Sequence, residues 1–415
     1  MKQSSKKALI FLIPVLIVLI GVVVVISGFW QNVSATQDQS DSGLQDLSTH
    51  DLFPDKISLE YANGFSVEYH GTYKVVRIHD PWGREGENRT YLLVQRGESV
   101  PSGYPNARVF HIPVKSVVTL SSVHLPNIMA LNETSSIVGH NGISTVYNEE
   151  FHRLADAGKI VEVGSGTLSM DTTLQTEKLI ELEPDIVFCS ANGNPEYDNQ
   201  NKLLEAGLSP AVTGDWMENH PLARAEWIKY YALFFNKEKV ATEFFDQIKA
   251  NYTALCEKTA NVSKKPTLFA GIEYQGTWYA PGKNSYVARL FSDAGGDYVL
   301  RNNSDKGDSI LDFESVYDTS SNAEYWLNTG YTSNIQEMMA LDSRYNKFSA
   351  VKAGNVYQFN ARVNKFGGND YWESGIIHPD IILADIVKIL HPEVLPDHEL
   401  YYYSRIGVNQ TGAAA

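Results

Sequence analysis

The sequence predicts an α/β protein: two lobes, each a parallel sheet with flanking helices, joined by a single long helix and preceded by a β-rich extension and a membrane-anchor helix. Three observations carry that reading. Strand-like and helix-like segments alternate from about residue 114 onward, the pattern of parallel strands with crossover helices. One stretch of helical periodicity, residues 221–258, divides that alternation in two. The chain has 415 residues, 43% of them hydrophobic, enough for two cores where one stops growing near roughly 250–300 residues.

At the N-terminus, Lys2, Lys6 and Lys7 precede an uncharged, apolar run from Ala8 to Trp30. As a helix the run is about 34 Å long, sufficient for a bilayer core of about 30 Å. The lysines hold its start in the cytoplasm and put everything after Trp30 outside. Residues 1–30 therefore read as a membrane anchor, with cleavage after Val33-Ser34-Ala35 as the other reading. No cysteine follows the run, which argues against a lipidated anchor. Residues 31–56 are polar and aperiodic and read as a flexible linker.

The N-x-S/T sequons at Asn32, Asn88, Asn132, Asn251, Asn261, Asn302 and Asn409 fit a glycosylated surface protein. A net charge of −15 argues against a nucleic-acid partner, because phosphates would be repelled. Cys189 and Cys256 are too few for a disulfide framework and lack metal-ligand spacing; whether they pair is left open.

Residues 57–113 show short alternating runs (ISLEY, FSVEYH, YKVVRIHD, TYLLVQRG, ARVFHIPV) parted by Gly, Pro and Asn, which predicts β-hairpins. Residues 114–220 form the first lobe, with strands at 114–121, 136–140, 160–164, 184–190 and 209–214 and helices at 172–183 and 194–207. Residues 221–260 form the connector. Pro221 suits a first helical position, and Asn236 is a point where the helix could break in two. Residues 261–405 form the second lobe: PTLFAGIEY as a strand, NSYVARLFSDAG as a helix ended by glycine, further strands at 324–330 and 355–360, and a closing helix from Pro379 to His391. Residues 406–415 are a tail.

Two Rossmann-like lobes leave a crevice between their strand ends, the usual place for a ligand in open sheets. The run from Val114 to Gly142, the passage LQTEKLIELEPDIVF, the connector DWMENHPLARAEWIKYYALFFNKEKVATEFF and the closing NDYWESGIIHPDIILADIVKILHPE carry a resemblance. In that order and spacing they resemble periplasmic-type solute-binding proteins of ABC importers, of the iron-chelate (siderophore) and cobalamin class, over about residues 114–405. The resemblance implies capture of an iron(III) chelate, siderophore or haem-like, and delivery to the permease subunits. A corrinoid is the alternative ligand. It further implies that Glu196 and Glu314, one per lobe, dock against permease arginines, where charge pairs guide orientation; a glutamate in a helix's first turn is also favoured by the dipole alone.

Loops at the strand ends supply the candidate ligand contacts: His124, Asp171, Trp216, Tyr274, Trp278, Tyr279, Lys283, Arg362, Asn369 and Tyr371. Aromatic faces suit a large conjugated ligand, and a cation meets the charge of a chelate. Packing is the competing reading for the aromatic residues, a solvated loop for His124 and His140, and plain surface charge for Arg362 and Lys365. In GGNDYWE, Tyr371 is expected to line the site and Trp372 to pack. The histidines are scattered, so no direct metal site and no cofactor are expected, and a monomer is anticipated. No G-x-S-x-G, H-E-x-x-H, P-loop or G-x-G-x-x-G motif supports an enzyme. An adhesive surface protein would explain anchor and sequons but not the crevice.

Overall fold

FSVEYH and YKVVRI are parted only by Gly71 and Thr72, and Gly71 takes a left-handed φ of +65°, so the runs fold back as β1 (Phe65–His70) and β2 (Tyr73–Ile78). The computed structural model describes residues 51–81, 87–165, 174–191, 198–301, 307–330, 332 and 334–407. The expected anchor, the linker up to residue 50, Asp171, Glu196 and the sequons Asn32, Asn302 and Asn409 lie outside the described residues. Among the described residues no helix is long and apolar enough to cross a membrane. The sequons Asn88, Asn132, Asn251 and Asn261 are exposed.

The extension sheet continues with β3 (Arg89–Gln95), antiparallel to β2, and β4 (Arg108–Ile112), which joins β3 in parallel. A hairpin at this last step is thereby corrected, because parallel neighbours need a crossing connection. ISLEY is not a strand either: the main-chain N–H groups of Glu60, Tyr61 and Ala62 are taken by the Glu226 carboxylate instead of a ladder. The linker ends earlier than expected. Phe53 is buried, with the Lys74 ammonium 4.6 Å from its ring centroid.

The first lobe is a parallel sheet of β5 (Val117–Thr119), β6 (Ile137–His140), β7 (Val161–Glu162), β8 (Ile186–Ser190) and β9 (Pro210–Thr213), in the order β7-β6-β5-β8-β9. Alternate residues serve two cores, as the period-2 geometry requires. Val118, Val187 and Val212 pack under Leu179 and Leu203, while Val117, Ile186 and Phe188 pack with Leu125, Tyr230 and Phe234. Cys189 and Cys256 are both free thiols.

The connector is helical over Pro221–Glu226, Ile228–Phe235 and Glu238–Thr259. It bends at Trp227 and breaks at Asn236, whose φ of +54° no helix can hold. Every residue of Ile228–Phe235 is buried. Glu226 and Lys229, one turn apart on the connector, pair at 2.8 Å.

In the second lobe PTLFAGIEY is two strands, not one. β10 (Thr267–Ala270) lies in the parallel sheet, but Gly271 has φ +94°, and a Cβ there would meet the Tyr279 carbonyl oxygen at 2.0 Å. The chain turns out, and β11 (Ile272–Tyr274) pairs antiparallel with β12 (Thr277–Pro281). β13 (Asp297–Tyr298) returns beside β10, and β14 (Asp308–Leu311) adds to β12. β15 (Tyr325–Leu327), β16 (Val356–Gln358) and antiparallel β17 (Ser404–Arg405) complete the order β13-β10-β15-β16-β17. The Pro379–Leu390 helix backs this sheet with Leu383, Ile386 and Val387 wholly buried. Its buried Asp385 is satisfied by the N–H groups of Tyr401, Tyr402 and Tyr403. The architecture is the two-lobed α/β fold that the sequence predicts.

Candidate functional site

Strand order reverses between β5 and β8 in the first lobe and between β10 and β15 in the second, and open sheets take ligands at such points, outside the carboxyl ends of the strands. The loops leaving those ends meet between the lobes. At one end of the crevice the meeting is direct. The Glu373 carboxylate accepts the N–H groups of Tyr147 and Asn148, the latter at 3.3 Å, and the Asn364 amide donates to the Val146 carbonyl at 2.6 Å. Gly368 lets the backbones approach, since a Cβ there would stand 2.4 Å from the Thr145 carbonyl oxygen. Burial pushes the Glu373 carboxyl up to about 8, and the Asp370 carboxylate adds to the effect.

Arg362, Asn369 and Tyr371 belong to this clasp. Arg362 pairs with Asp370 at 2.6 Å and lies 4.3 Å from the Tyr401 ring centroid and 5.0 Å from that of Tyr147. Asn369 caps the short turn Asp370–Trp372, accepting the Tyr371 N–H at 3.0 Å. Tyr371 is buried with its ring stacked on Phe359, centroids 4.3 Å apart. Tyr371 therefore packs where it was expected to line the site, because the turn points its ring into the lobe interior, while Trp372, half-buried with its ring centroid 5.3 Å from that of Phe359, packs as expected.

The other end of the crevice is open, beside the edge strands β9 and β13. A cavity of about 450 Å³ is lined by Asn219, His220, Lys283, Arg289 and Arg301. Arg289 holds Asp293 at 2.8 and 2.9 Å, and Arg301 is paired with Asp297. A second cavity, about 680 Å³, adjoins it at Asn219 and is lined by Trp216 and Met217 from the loop after β9 and by Asn63, His79 and Asp80 from the extension. Both volumes fall within the range of about 300–1,000 Å³ usual for small-molecule sites.

Trp216 is 45% exposed, and its indole N–H is spent on the Ala191 carbonyl, which leaves the ring face to the cavity. Tyr274 and Tyr279 are 65% and 41% exposed on the outer face of the β11–β12–β14 sheet, beside Ile310. Lys283 lines the smaller cavity. Two expected contacts are corrected. Trp278 is wholly buried, 5.5 Å from Trp326 between ring centroids, because alternate residues of β12 face opposite ways. His124 is wholly buried too: its Nδ1 shares a 2.7 Å hydrogen bond with the Tyr231 hydroxyl, and burial pushes it down to about 3, so it is a neutral core residue. His140 is buried and depressed likewise, against the Thr119 hydroxyl. Glu314 is exposed and 3.2 Å from Arg344, whose guanidinium stacks on Phe313. Among the described residues no group of three or more His, Cys, Asp or Glu side chains is placed to hold a metal ion.

Asn219 lies in the loop after β9, one of the strand-end loops expected at the crevice, but sequence reasoning missed Arg289, in the middle of the Tyr286–Asp293 helix, and Arg301, three residues past β13, since no motif marks either. It also missed Asn63, His79 and Asp80, in an extension whose purpose the sequence does not show, and Glu373, three residues after Asp370 in the turn GGNDYWE.

A family model for periplasmic binding protein matches residues 117–363. An uncharacterised lipoprotein of Methanocaldococcus jannaschii is 27% identical over 344 residues, 79% of this chain and 79% of its own length. Two solved structures share the fold. A possible iron-binding (periplasmic solute-binding) protein from Staphylococcus epidermidis has a TM-score of 0.52 at 17% identity, covering 67% of this chain and 99% of that one. CeuE of Helicobacter pylori, in a nickel–histidine complex, has a TM-score of 0.53 at 16% identity, covering 78% and 90%.

Proposed function

Because this chain belongs to the periplasmic binding protein family, we propose that it captures an iron(III) chelate, siderophore or haem-like, outside the membrane and delivers it to the permease of an ABC importer, without catalysing a reaction. The observation that carries the reading is the open end of the crevice, where the bare face of Trp216 and the cations Lys283, Arg289 and Arg301 border adjoining cavities. A planar or aromatic chelate finds stacking surface there, and its negative charge finds cations. The description of the Staphylococcus epidermidis protein as a possible iron-binding protein and the nickel–histidine complex of CeuE support a ligand that contains a metal.

Tyr274 and Tyr279 extend the apolar surface of the second lobe. Exposed Glu314 serves permease docking together with Glu196, by orienting rather than by strong attraction. The apolar run Ala8–Trp30 ties the protein to the membrane. The Methanocaldococcus jannaschii relative is described as a lipoprotein; this chain's cysteines stand only at positions 189 and 256, so the reading assigns the tether to the apolar run and not to a lipidated cysteine.

A thermal-shift screen of the full-length protein against a ferric trihydroxamate, a ferric tris-catecholate, haem, a cobamide and free metal ions tests the proposal. Ligand at a hundredfold over Kd adds about 2.7 kcal/mol, which for a fold of this size raises Tm by about 3–4 °C. A shift with a chelate and none with free metal is expected. No shift with any chelate overturns the reading.

A further inference from the structure

The β-rich extension precedes the segment that the family model matches, yet it forms one wall of the larger cavity. Asn63 comes from the segment before β1, and His79 and Asp80 follow β2; Trp216 and Met217 belong to the first lobe. That wall is fixed to the lobe through its main chain. The Glu226 carboxylate accepts the N–H groups of Tyr61 and Ala62, each at 2.8 Å, and Lys229 donates to the Ser58 carbonyl at 2.8 Å. The Glu218 carboxylate accepts Asn63 and Gly64 N–H at 2.9 Å each and the Trp227 indole at 3.1 Å. A Cβ on Gly64 would lie 2.6 Å from the Trp227 ring, so the segment sits flush against the connector. Two buried acids hold the backbone, and the side chains of Asn63 and His79 border the cavity with one hydrogen bond each already made: the Asn63 amide donates to the Tyr61 carbonyl at 2.8 Å, and His79 Nε2 shares a 3.0 Å bond with the Ser66 hydroxyl.

We infer that the extension is part of the ligand-binding surface: Asn63 and His79 contact the far portion of a bulky chelate whose near portion lies at Lys283. This rests on the chelate reading and adds the extension as a determinant of which chelates fit. A ligand confined to the compartment of about 450 Å³ never meets the extension, whereas one large enough to enter the adjoining 680 Å³ does. The second N–H of the Asn63 amide and the His79 Nδ1 can donate to the oxygen atoms that crowd a hydroxamate or catecholate chelate, and Trp216 offers a ring face in the same cavity.

The test uses full-length protein and three probes, a ferric trihydroxamate, a ferric tris-catecholate and haem, titrated by intrinsic fluorescence. Four variants are compared: N63W, which fills the cavity from the extension side; H79A, which tests the same wall without added bulk; K283A, on the lobe side; and H111A, an exposed position on β4 away from the cavity. For whichever probe binds the intact protein, N63W should raise Kd by about tenfold or more, H79A by about fivefold, the worth of one hydrogen bond, and H111A not at all. Binding that K283A weakens but N63W and H79A leave unchanged overturns the extension's role while the crevice reading stands. Binding that none of the four changes overturns it as well. Failure of every probe to bind the intact protein removes the chelate reading, and the extension's role falls with it.

Discussion

Replacing Glu373 with glutamine should make stability less dependent on pH. The carboxyl is buried and accepts Tyr147 and Asn148 N–H from the other lobe, where the backbone enters the Glu149–Asp156 helix. Those bonds favour the carboxylate, but burial and the facing Asp370, itself paired with Arg362, outweigh them and push the group from 4.5 up to about 8. Its folded value thus exceeds its unfolded one. Between about pH 4.5 and 8 the folded state keeps a proton that the unfolded chain has released, so this contribution is whole below pH 4.5 and is lost as pH rises through 8. The slope is about 1.4 kcal/mol per pH unit, some ~4–5 kcal/mol over the full window. A glutamine carbonyl keeps the Tyr147 N–H and cannot ionise, while its amide nitrogen takes the place of the oxygen that accepted the Asn148 N–H at 3.3 Å, a loss of about 1 kcal/mol at every pH. Urea unfolding at pH 5, 6, 7 and 8 should therefore show the Glu373→Gln variant close to wild type at pH 5 and ahead of it by several kcal/mol at pH 8. A difference that stays flat, or a variant weaker at pH 8, would refute the reasoning. It would mean the carboxylate is ionised in the clasp and held by the helix N-terminus.

Three further outcomes follow from other parts of the fold. Glu226→Ala leaves buried Lys229 without its counter-ion and strips the acceptor from Glu60, Tyr61 and Ala62; chemical denaturation should show a loss of about 3–5 kcal/mol, and a loss below about 1 kcal/mol would contradict the assigned anchoring role. Trp278→Ala empties a core site and should cost about 3–5 kcal/mol. Trp216→Ala, at an exposed ring, should leave the urea midpoint nearly unchanged and lower probe affinity, and equal destabilisation by the two would reverse their assignments. Gly271→Ala puts a Cβ 2.0 Å from a carbonyl oxygen at a φ of +94°, and soluble yield together with near-ultraviolet circular dichroism should report a disrupted second lobe. A native spectrum would exclude the geometry given for that turn.

The succession of elements was largely legible in the sequence. Strand runs rich in valine and isoleucine, helices ended at Gly295 and at Pro392, and the long periodic stretch after Pro221 mark their own places, since each signal lies within a few residues of the element it sets. Asn236 was visible as a weak point and is the break. The crevice residues were less legible. Period-2 alternation says that Trp278 and Tyr279 face opposite ways, but not which way the core lies. His124 ends a strand, yet only the approach of Tyr231, more than a hundred residues later, makes its site dry.

The sequence by itself determined the α/β class, the two lobes and the helix that links them, because periodicity, caps and breakers act through the local backbone. Tertiary structure alone decided that Gly271 ejects a strand from its sheet, that Glu373 closes one end of the crevice, and that Glu218 and Glu226 bind the extension to the connector so that it walls the other end. Those outcomes depend on which distant groups come within hydrogen-bonding or van der Waals reach, and no spacing along the chain encodes that distance.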